Sequence, residues 1–189
     1  ETAPHSLLVS EDRLRGPDGH RFLCTPPLRD EATRQELERH ALAGSFDLFA
    51  TDHCAFFRRD KDRWSEDYRA VPNGLAGLGA LVPSIWELLV ARHRLPVGEM
   101  VARLAAGPAR VTGLAPRKGA ILPGADADVV AIGHGTRQRT VTATLIDAHN
   151  PFEDCTTTID VRWVIRGGVV QVPHDLGRPP ASGPGPHDR

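Results

Sequence analysis

A short apolar run that ends at Asp52 and His53 is the feature that most constrains how this chain can fold. The run has the length and composition of a buried strand, and it stops abruptly at charged residues. In a (β/α)8 barrel, the carboxyl ends of such strands carry the chemistry. Residues 46–52 are therefore predicted to form a buried strand, with Asp52 at its functional tip.

Composition excludes several classes of partner. The net charge of −1 indicates neither nucleic acid nor an anionic membrane as a partner. No apolar run approaches the roughly 18 residues of a membrane span, and the first ten residues lack the pattern of a signal peptide. The widely spaced Cys24, Cys54 and Cys155 match neither a zinc finger nor a disulfide framework. A cytoplasmic protein is expected, with the three thiols packed as small apolar groups.

The first part of the chain reads as an alternation of helices and strands. Asp30 is a suitable N-cap for the helix that follows it, and Pro83 is interpreted either as a kink in a later helix or as a residue of its first turn. Gly107 and Pro108 are read as a helix stop. The predicted elements are a strand at 6–9, a helix from Asp30 to Leu42, the strand at 46–52, a solvated charged loop at 57–70, and helices at 77–94, 97–106 and 109–112.

After residue 118 the pattern changes to short β-rich runs separated by glycines. Gly167 and Gly168 stand between two apolar runs and predict a tight hairpin turn. Strands are predicted at 121–122, 129–132, 140–146 and 161–172. We therefore expect a barrel-type unit at 1–117, part of a β-sandwich at 118–173 and a disordered tail at 174–189, where few core residues occur.

Several short blocks occur in the order found in a known enzyme family. They are Glu1-Thr2-Ala3-Pro4-His5, Thr25-Pro26-Pro27-Leu28-Arg29, Thr51-Asp52-His53-Cys54 with Phe56, Val71-Pro72-Asn73-Gly74, Pro108-Ala109-Arg110, Pro116-Arg117-Lys118-Gly119 and Pro123-Gly124-Ala125-Asp126-Ala127-Asp128. Each block alone is a weak signal, but their shared order is specific. With these blocks the chain resembles the cyclic amidohydrolases, and most of all the dihydropyrimidinase/D-hydantoinase branch, over residues 1–172.

The resemblance implies a fold and a reaction. The implied fold class is α/β, the C-terminal part of a (β/α)8 metal-dependent hydrolase barrel followed by strands of a small β-sandwich domain. The implied reaction is hydrolysis of the C–N bond of a dihydropyrimidine, hydantoin or related cyclic ureide or imide. Members of the family often form tetramers, so a homo-oligomer is expected, with a small cyclic amide as substrate.

The resemblance also implies a metal centre of which this chain holds only a part. The family uses two divalent metals, usually zinc, bridged by a carboxylated lysine and a hydroxide, with four histidines and one aspartate as further ligands. Only the aspartate has a counterpart here, and it matches Asp52. The chain begins at Glu1 without a methionine, which favours a cut fragment whose missing ligands lie upstream. The isolated chain is therefore expected to be inactive.

Three positions receive roles from the family. Asp52 matches the ligand that also takes the proton of the attacking hydroxide and returns it to the leaving nitrogen. Thr25 matches a serine whose backbone holds the substrate ring, and Asn73 matches an asparagine that binds the amide edge of the ring. His53 and His5 are interpreted as structural. Departures from the family pattern occur at Ala3, Ser6, Ala55 and Gly79.

Other interpretations remain open at this point. A non-catalytic, dihydropyrimidinase-like scaffold protein would keep the fold without the metal ligands, although the presence of Asp52 argues against it. A related hydrolase of the dihydroorotase or allantoinase type is a further alternative. An unrelated small α+β binding protein would not explain the ordered blocks.

Overall fold

The computed structural model describes residues 1–63, 67–143 and 147–171. The α-helices are α1 (Pro4–Leu8), α2 (Glu31–Leu42), α3 (Arg58–Lys61), α4 (Leu81–Ile85), α5 (Val97–Val101) and α6 (Gly107–Val111). Three strands follow, β1 (Val129–Thr140), β2 (Thr156–Arg166) and β3 (Val169–Gln171). Short 3-10 turns lie at 11–15, 19–22, 68–70 and 78–80, and π-helical segments extend α4 through Arg92 and α5 through Ala106.

Three extended segments lie side by side in parallel and form the part of the fold that carries the predicted site. Thr2 pairs in parallel with Phe49, and the Ala50 amide donates to the Thr2 carbonyl at 3.0 Å. His53 pairs in parallel with Leu75. Because α1 and α2 lie between the first two segments in the chain, this is a βαβ connection, the repeating unit of a parallel α/β fold.

The predicted strand at 46–52 is therefore only partly correct. The segment is extended, but it makes single parallel bridges at Phe49 and His53 rather than a continuous ladder. The left-handed backbone of Asp52, with φ of 44°, breaks the extended conformation between these two bridges. The extended segment ends at Asp52, as predicted, and the backbone turns at this residue.

Local signals predicted α2 correctly. The Asp30 carboxylate accepts a hydrogen bond from the Thr33 amide at 2.7 Å, which makes it the N-cap. That cap satisfies one of the amides that have no partner inside the helix. Arg34 on the next turn binds Glu31 and Glu38, and its guanidinium also donates to the Leu7 carbonyl, so that α2 is tied to α1.

Two predictions in the helical part are wrong. Residues 6–9 do not form a strand, because Pro4 opens the short helix α1 and its fixed φ suits a first helical turn. Gly107 and Pro108 do not stop a helix, because they form the first turn of α6 directly after the π-helical segment. A Cβ on Gly107 would lie 2.4 Å from the Asp47 carbonyl oxygen, so glycine is required there by close packing.

The predicted helix at 77–94 corresponds to a continuous helical stretch from Leu78 to Arg92. Pro83 lies in the first turn of α4, one of the two predicted positions. Gly79 brings this stretch against the chain after β1, since a Cβ there would lie 2.5 Å from the Thr142 carbonyl oxygen. A larger side chain at position 79 has no room in this chain.

The strands form an antiparallel sheet in the order β1-β2-β3. The hairpin between β2 and β3 turns at Gly167 and Gly168, both with positive φ, as predicted. Residues 121–122 lie outside the described strands and are exposed, which contradicts the strand predicted there. Of the strand predicted at 140–146, Thr140 ends β1 and residues 144–146 lie outside the described part of the chain. The predicted tail also lies outside it.

Two apolar clusters form the core. One surrounds Phe22, Leu75 and Phe152, and the other surrounds Phe49, Trp86 and Leu89. Each cluster contains residues from both sides of the boundary predicted after residue 117. The segment that carries Asp52 is anchored in both clusters. Phe49, three residues before Asp52, belongs to the second cluster, and Leu75, which pairs with His53, belongs to the first.

Candidate functional site

Asp52 stands at the carboxyl end of the central extended segment, with its side chain 57% exposed. A non-glycine residue with a positive φ is uncommon, and aspartate and asparagine tolerate this conformation best. The Asp52 carboxylate lies 3.7 Å from Nε2 of His5, which is buried beneath it. Burial lowers the pKa of His5, and Asp52 opposes that shift. An exposed carboxylate therefore lies beside a buried imidazole at the end of this segment.

His53 has a structural role, as expected. Its Nδ1 accepts hydrogen bonds from the amides of Gly77 and Leu78, both at 3.0 Å. These amides open a helical stretch, so they would otherwise lack acceptors within it. His53 thereby fixes the direction in which the chain leaves Leu75.

Thr25 and Asn73, the two positions predicted to bind substrate, lie next to each other in the structure. The Asn73 side-chain amide donates to the Thr25 hydroxyl, and both residues are exposed. Beneath them, the Gly74 amide donates to the Leu23 carbonyl at 3.0 Å, so the two loops are joined by their backbones as well. The exposed edge offers backbone and amide groups of the kind that pair with a cyclic amide.

Asp52 lies near both loops. The Cys54 amide donates to the Leu75 carbonyl at 2.9 Å, and the Cys54 thiol contacts the Asn73 carbonyl at 3.8 Å. Burial raises the pKa of the neighbouring Cys24 thiol, and the charge of Asp52 contributes to that rise. Cys54 is exposed, so the expectation that all three thiols pack as apolar groups is wrong for this residue.

Lys61 is a part of this region that sequence reasoning missed. The segment 57–70 was interpreted as a solvated loop, but Lys61 ends α3 and its side chain is almost fully buried. Its Nζ donates to the Leu23 carbonyl at 3.1 Å. Burial lowers the pKa of Lys61 to about 8. A charged residue among many charged residues gives no local signal of such burial, so only tertiary contacts identify it.

A buried imidazole lies on the other side of Lys61. His149 packs edge-on against Phe22, with ring centroids 4.4 Å apart, and neither of its ring nitrogens has a hydrogen-bond partner among the described residues. Burial, reinforced by nearby positive charges, lowers the pKa of His149 to about 4. The cations are Arg58, Lys61, Arg21 and Arg13.

The residues present do not by themselves fit a metal pair. Zinc sites use three or four protein ligands, whereas among the described residues the titratable partner of the Asp52 carboxylate is His5. Across residues 1–63, 67–143 and 147–171, no group of three or more His, Cys, Asp or Glu side chains is placed to hold a metal ion. The described chain therefore supplies at most one carboxylate donor to such a centre.

A cavity of about 250 Å³ lies beside the Thr25 loop, between residues 26–29 and α2. Its lining includes Pro27, Arg34 and His40 but none of Asp52, Thr25 and Asn73. It is therefore not the predicted substrate site. No helix in the described part of the chain is long and apolar enough to cross a membrane.

Comparison of the sequence with characterised proteins finds hydantoinases. The chain is 34% identical over 175 residues to a D-phenylhydantoinase of Escherichia coli O127:H6, an alignment that covers 90% of this chain and 38% of that protein. It is 35% identical over 133 residues to the D-hydantoinase of Ralstonia pickettii, covering 69% of this chain and 29% of that protein. No family model matches the chain.

Solved structures give the same result at the level of the fold. The D-hydantoinase (dihydropyrimidinase) of Thermus sp. superposes with a TM-score of 0.80 at 28% identity, covering 90% of this chain and 38% of that one. A dihydropyrimidinase of Brevibacillus agri gives a TM-score of 0.81 at 26% identity, with 89% and 38% covered. The superposed part is the C-terminal portion of these barrel enzymes.

The parallel α/β arrangement and the superposed structures match this chain to the C-terminal portion of TIM-barrel hydantoinases. Sequence and structure together place it in one family: the chain belongs to the hydantoinase/dihydropyrimidinase family of cyclic amidohydrolases. It spans between 29% and 38% of the length of the relatives that it matches.

Proposed function

We propose that this chain forms the C-terminal part of the active site of a hydrolase that opens the C–N bond of a cyclic amide, with water activated at a pair of divalent metals, zinc in the family. The observation that carries the proposal is the placement of Asp52, an exposed carboxylate at a strand end, beside the joined Thr25 and Asn73 loops. The relatives are named hydantoinases and dihydropyrimidinases, so the substrate class is a hydantoin or dihydropyrimidine ring.

The roles of this chain's own residues follow from their chemistry. Asp52 accepts the proton of the attacking water and returns it to the ring nitrogen as the C–N bond breaks, which makes it general base and then general acid. Thr25 and Asn73 hold the amide edge of the ring, Thr25 through its backbone. A divalent metal, if bound, would supply Lewis-acid chemistry that polarises the carbonyl and lowers the pKa of water. Asp52 is proposed as one of its ligands.

The alternative is a scaffold protein of the same fold that has no catalytic activity. It would keep the core clusters and the loops, but it would have no use for a carboxylate held in a left-handed backbone conformation at a strand end. Such a conformation costs free energy and concentrates at functional sites. We therefore favour the enzyme.

The test requires an assembled enzyme, defined as this chain joined to the N-terminal part of the barrel. That part is supplied by the matching part of the R. pickettii D-hydantoinase. The assembled enzyme, loaded with zinc, should hydrolyse dihydrouracil or hydantoin, and the chain alone should not. A folded, metal-loaded assembly that leaves both rings intact would contradict the proposal and favour the scaffold.

A further inference from the structure

Lys61 occupies an unusual position for a lysine. Its side chain is 1% exposed, and no carboxylate forms an ion pair with it in the part of the chain that the structure describes. Removing an ammonium group from water is costly unless strong hydrogen bonds replace its hydration. The acceptor that the structure provides is the carbonyl oxygen of Leu23, at 3.1 Å. A methionine or leucine would fill the same space without that cost. What the lysine adds is the hydrogen bond from its ammonium group to the Leu23 carbonyl.

The acceptor of this bond lies between the two substrate loops. The Leu23 carbonyl also accepts the amide of Gly74, at 3.0 Å. Thr25 follows Leu23 by two residues, and Asn73 directly precedes Gly74. One oxygen atom therefore connects α3, the Thr25 loop and the Asn73 loop, and its two lone pairs are used by an amide and an ammonium group.

The neighbouring thiols contact the same loops. Cys24 and Cys54 lie near Lys61, and burial raises the pKa of the Cys24 thiol, which favours its neutral form. The Cys24 thiol contacts the Pro26 carbonyl at 3.3 Å, and the Cys54 thiol contacts the Asn73 carbonyl at 3.8 Å. These thiol bonds are weak, so the ammonium of Lys61 makes the strongest hydrogen bond beneath the loops.

We propose that Lys61 is a positioning residue for the cyclic substrate: through the Leu23 carbonyl, it holds the Thr25 and Asn73 loops at the separation that matches the amide edge of the ring. This inference rests on the proposed function and extends it to a residue that does not touch substrate. Lys61 acts on ring binding rather than on proton transfer, because Asp52 belongs to a different segment and does not bond to Leu23.

Kinetics of the assembled enzyme separate this role from a merely structural one. Lys61→Met keeps the length of the side chain but removes the donor, and it should raise KM about tenfold, the effect of one lost charge-assisted hydrogen bond, with kcat changed less than threefold. Lys61→Gln keeps a neutral donor and should recover part of the loss. Lys118→Met, at the other lysine of the sequence, should leave both constants unchanged.

Hydrogen exchange supplies a readout that does not depend on turnover. The Gly74 amide should exchange faster in Lys61→Met than in the unmodified protein, whereas the Thr33 amide, capped by Asp30 on α2, should exchange at the same rate. If Lys61→Met fails to fold, Lys61→Gln carries both measurements. The positioning role would be overturned if Lys61→Met had the same KM as the unmodified enzyme. It would also be overturned if kcat fell as much as KM rose and all amides exchanged faster, since that pattern indicates general destabilisation. Inactivity of the unmodified assembled enzyme would instead overturn the proposed function.

Discussion

At the scale of single residues, the structure separates groups that sequence alone treats alike. Asp52, His53 and Lys61 are all charged or titratable side chains in one stretch of the chain. Asp52 is exposed at a strand end, His53 accepts two backbone hydrogen bonds, and Lys61 is buried under the loops. The tip at Asp52 was recognisable because an apolar run ends there. The burial of Lys61 was not, since it depends on the distant Leu23 carbonyl.

Asp52→Asn provides the sharpest test of mechanism at this scale. Asparagine keeps the size of the side chain and tolerates the left-handed backbone conformation, so the fold should be retained. It cannot accept or return a proton, and loss of a general acid–base group costs about 10²–10⁴-fold in rate. We expect kcat of the assembled enzyme to fall by at least that factor. Circular dichroism and metal content are measured beside it.

Asn73→Ala is the matched comparison for Asp52→Asn. It removes the side chain that bonds to Thr25 and that is proposed to hold the ring, so it should act mainly on KM. A folded, metal-loaded Asp52→Asn enzyme with near-normal turnover would remove Asp52 from the mechanism.

His149 predicts a dependence of stability on pH. Its pKa lies near 4 in the folded chain and near 6.5 in the unfolded chain. As pH falls from about 6.5 to 4, the unfolded state binds a proton that the folded state does not, so the free energy of unfolding decreases, by about 1.4 kcal/mol for each unit of pKa difference. Above about pH 6.5, His149 is neutral in both states and does not change how the free energy of unfolding depends on pH.

The measurement is urea unfolding between pH 7 and pH 4.5. His149→Leu should flatten the acid dependence, while His40→Gln, at an exposed histidine on α2, should not. An unchanged slope in His149→Leu would show that other groups cause the acid sensitivity.

At the scale of elements, the features predicted correctly are those that depend on residues close together in the sequence, namely helix caps, first turns and hairpin turns. Asp30 as N-cap, Pro83 in a first turn and the Gly167-Gly168 hairpin were all confirmed. The errors at residues 6–9 and at Gly107 have different causes. Pro4 is a local signal that favours the helix at residues 4–8. At Gly107, close packing against the Asp47 carbonyl decides the conformation, and no pattern within the segment reports it.

Two helical glycines test this distinction. A Cβ at Gly107 would meet the Asp47 carbonyl, whereas a Cβ at Gly98 in α5 would meet nothing within 4 Å. Gly98→Ala should therefore stabilise the chain by about 0.5–1 kcal/mol through helix propensity. Gly107→Ala should destabilise it, because a backbone carbonyl cannot move aside cheaply. Thermal unfolding of both variants beside the unmodified chain checks the signs, and equal effects would refute the close contact.

At the scale of the whole molecule, the sheet carries exposed apolar residues on both faces. From the register of β1 to β3, Trp163 and Val170 lie on one face, and Val130 and Val169 lie on the other. A two-layer architecture buries at least one face of each sheet against another layer. The part of β2 around Thr157 and Ile159 packs against the helical stretch 78–92, but the exposed residues at its other end and on β3 have no covering layer among the described residues.

We expect the isolated chain to self-associate through this sheet. β3 is a short edge strand with unpaired backbone groups, and Trp163 is 55% exposed beside it, a combination that promotes pairing between chains. Sedimentation velocity over a range of concentrations should show association. Trp163→Thr with Val170→Thr should weaken it, whereas Tyr68→Thr, at another exposed aromatic residue away from the sheet, should not.

In the assembled enzyme, the same double substitution should lower the free energy of unfolding and leave self-association nearly unchanged, because there the N-terminal part is expected to cover this face of the sheet. A monodisperse monomer with a sharp, reversible thermal transition would mean that this part of the family's fold is stable without its covering layer.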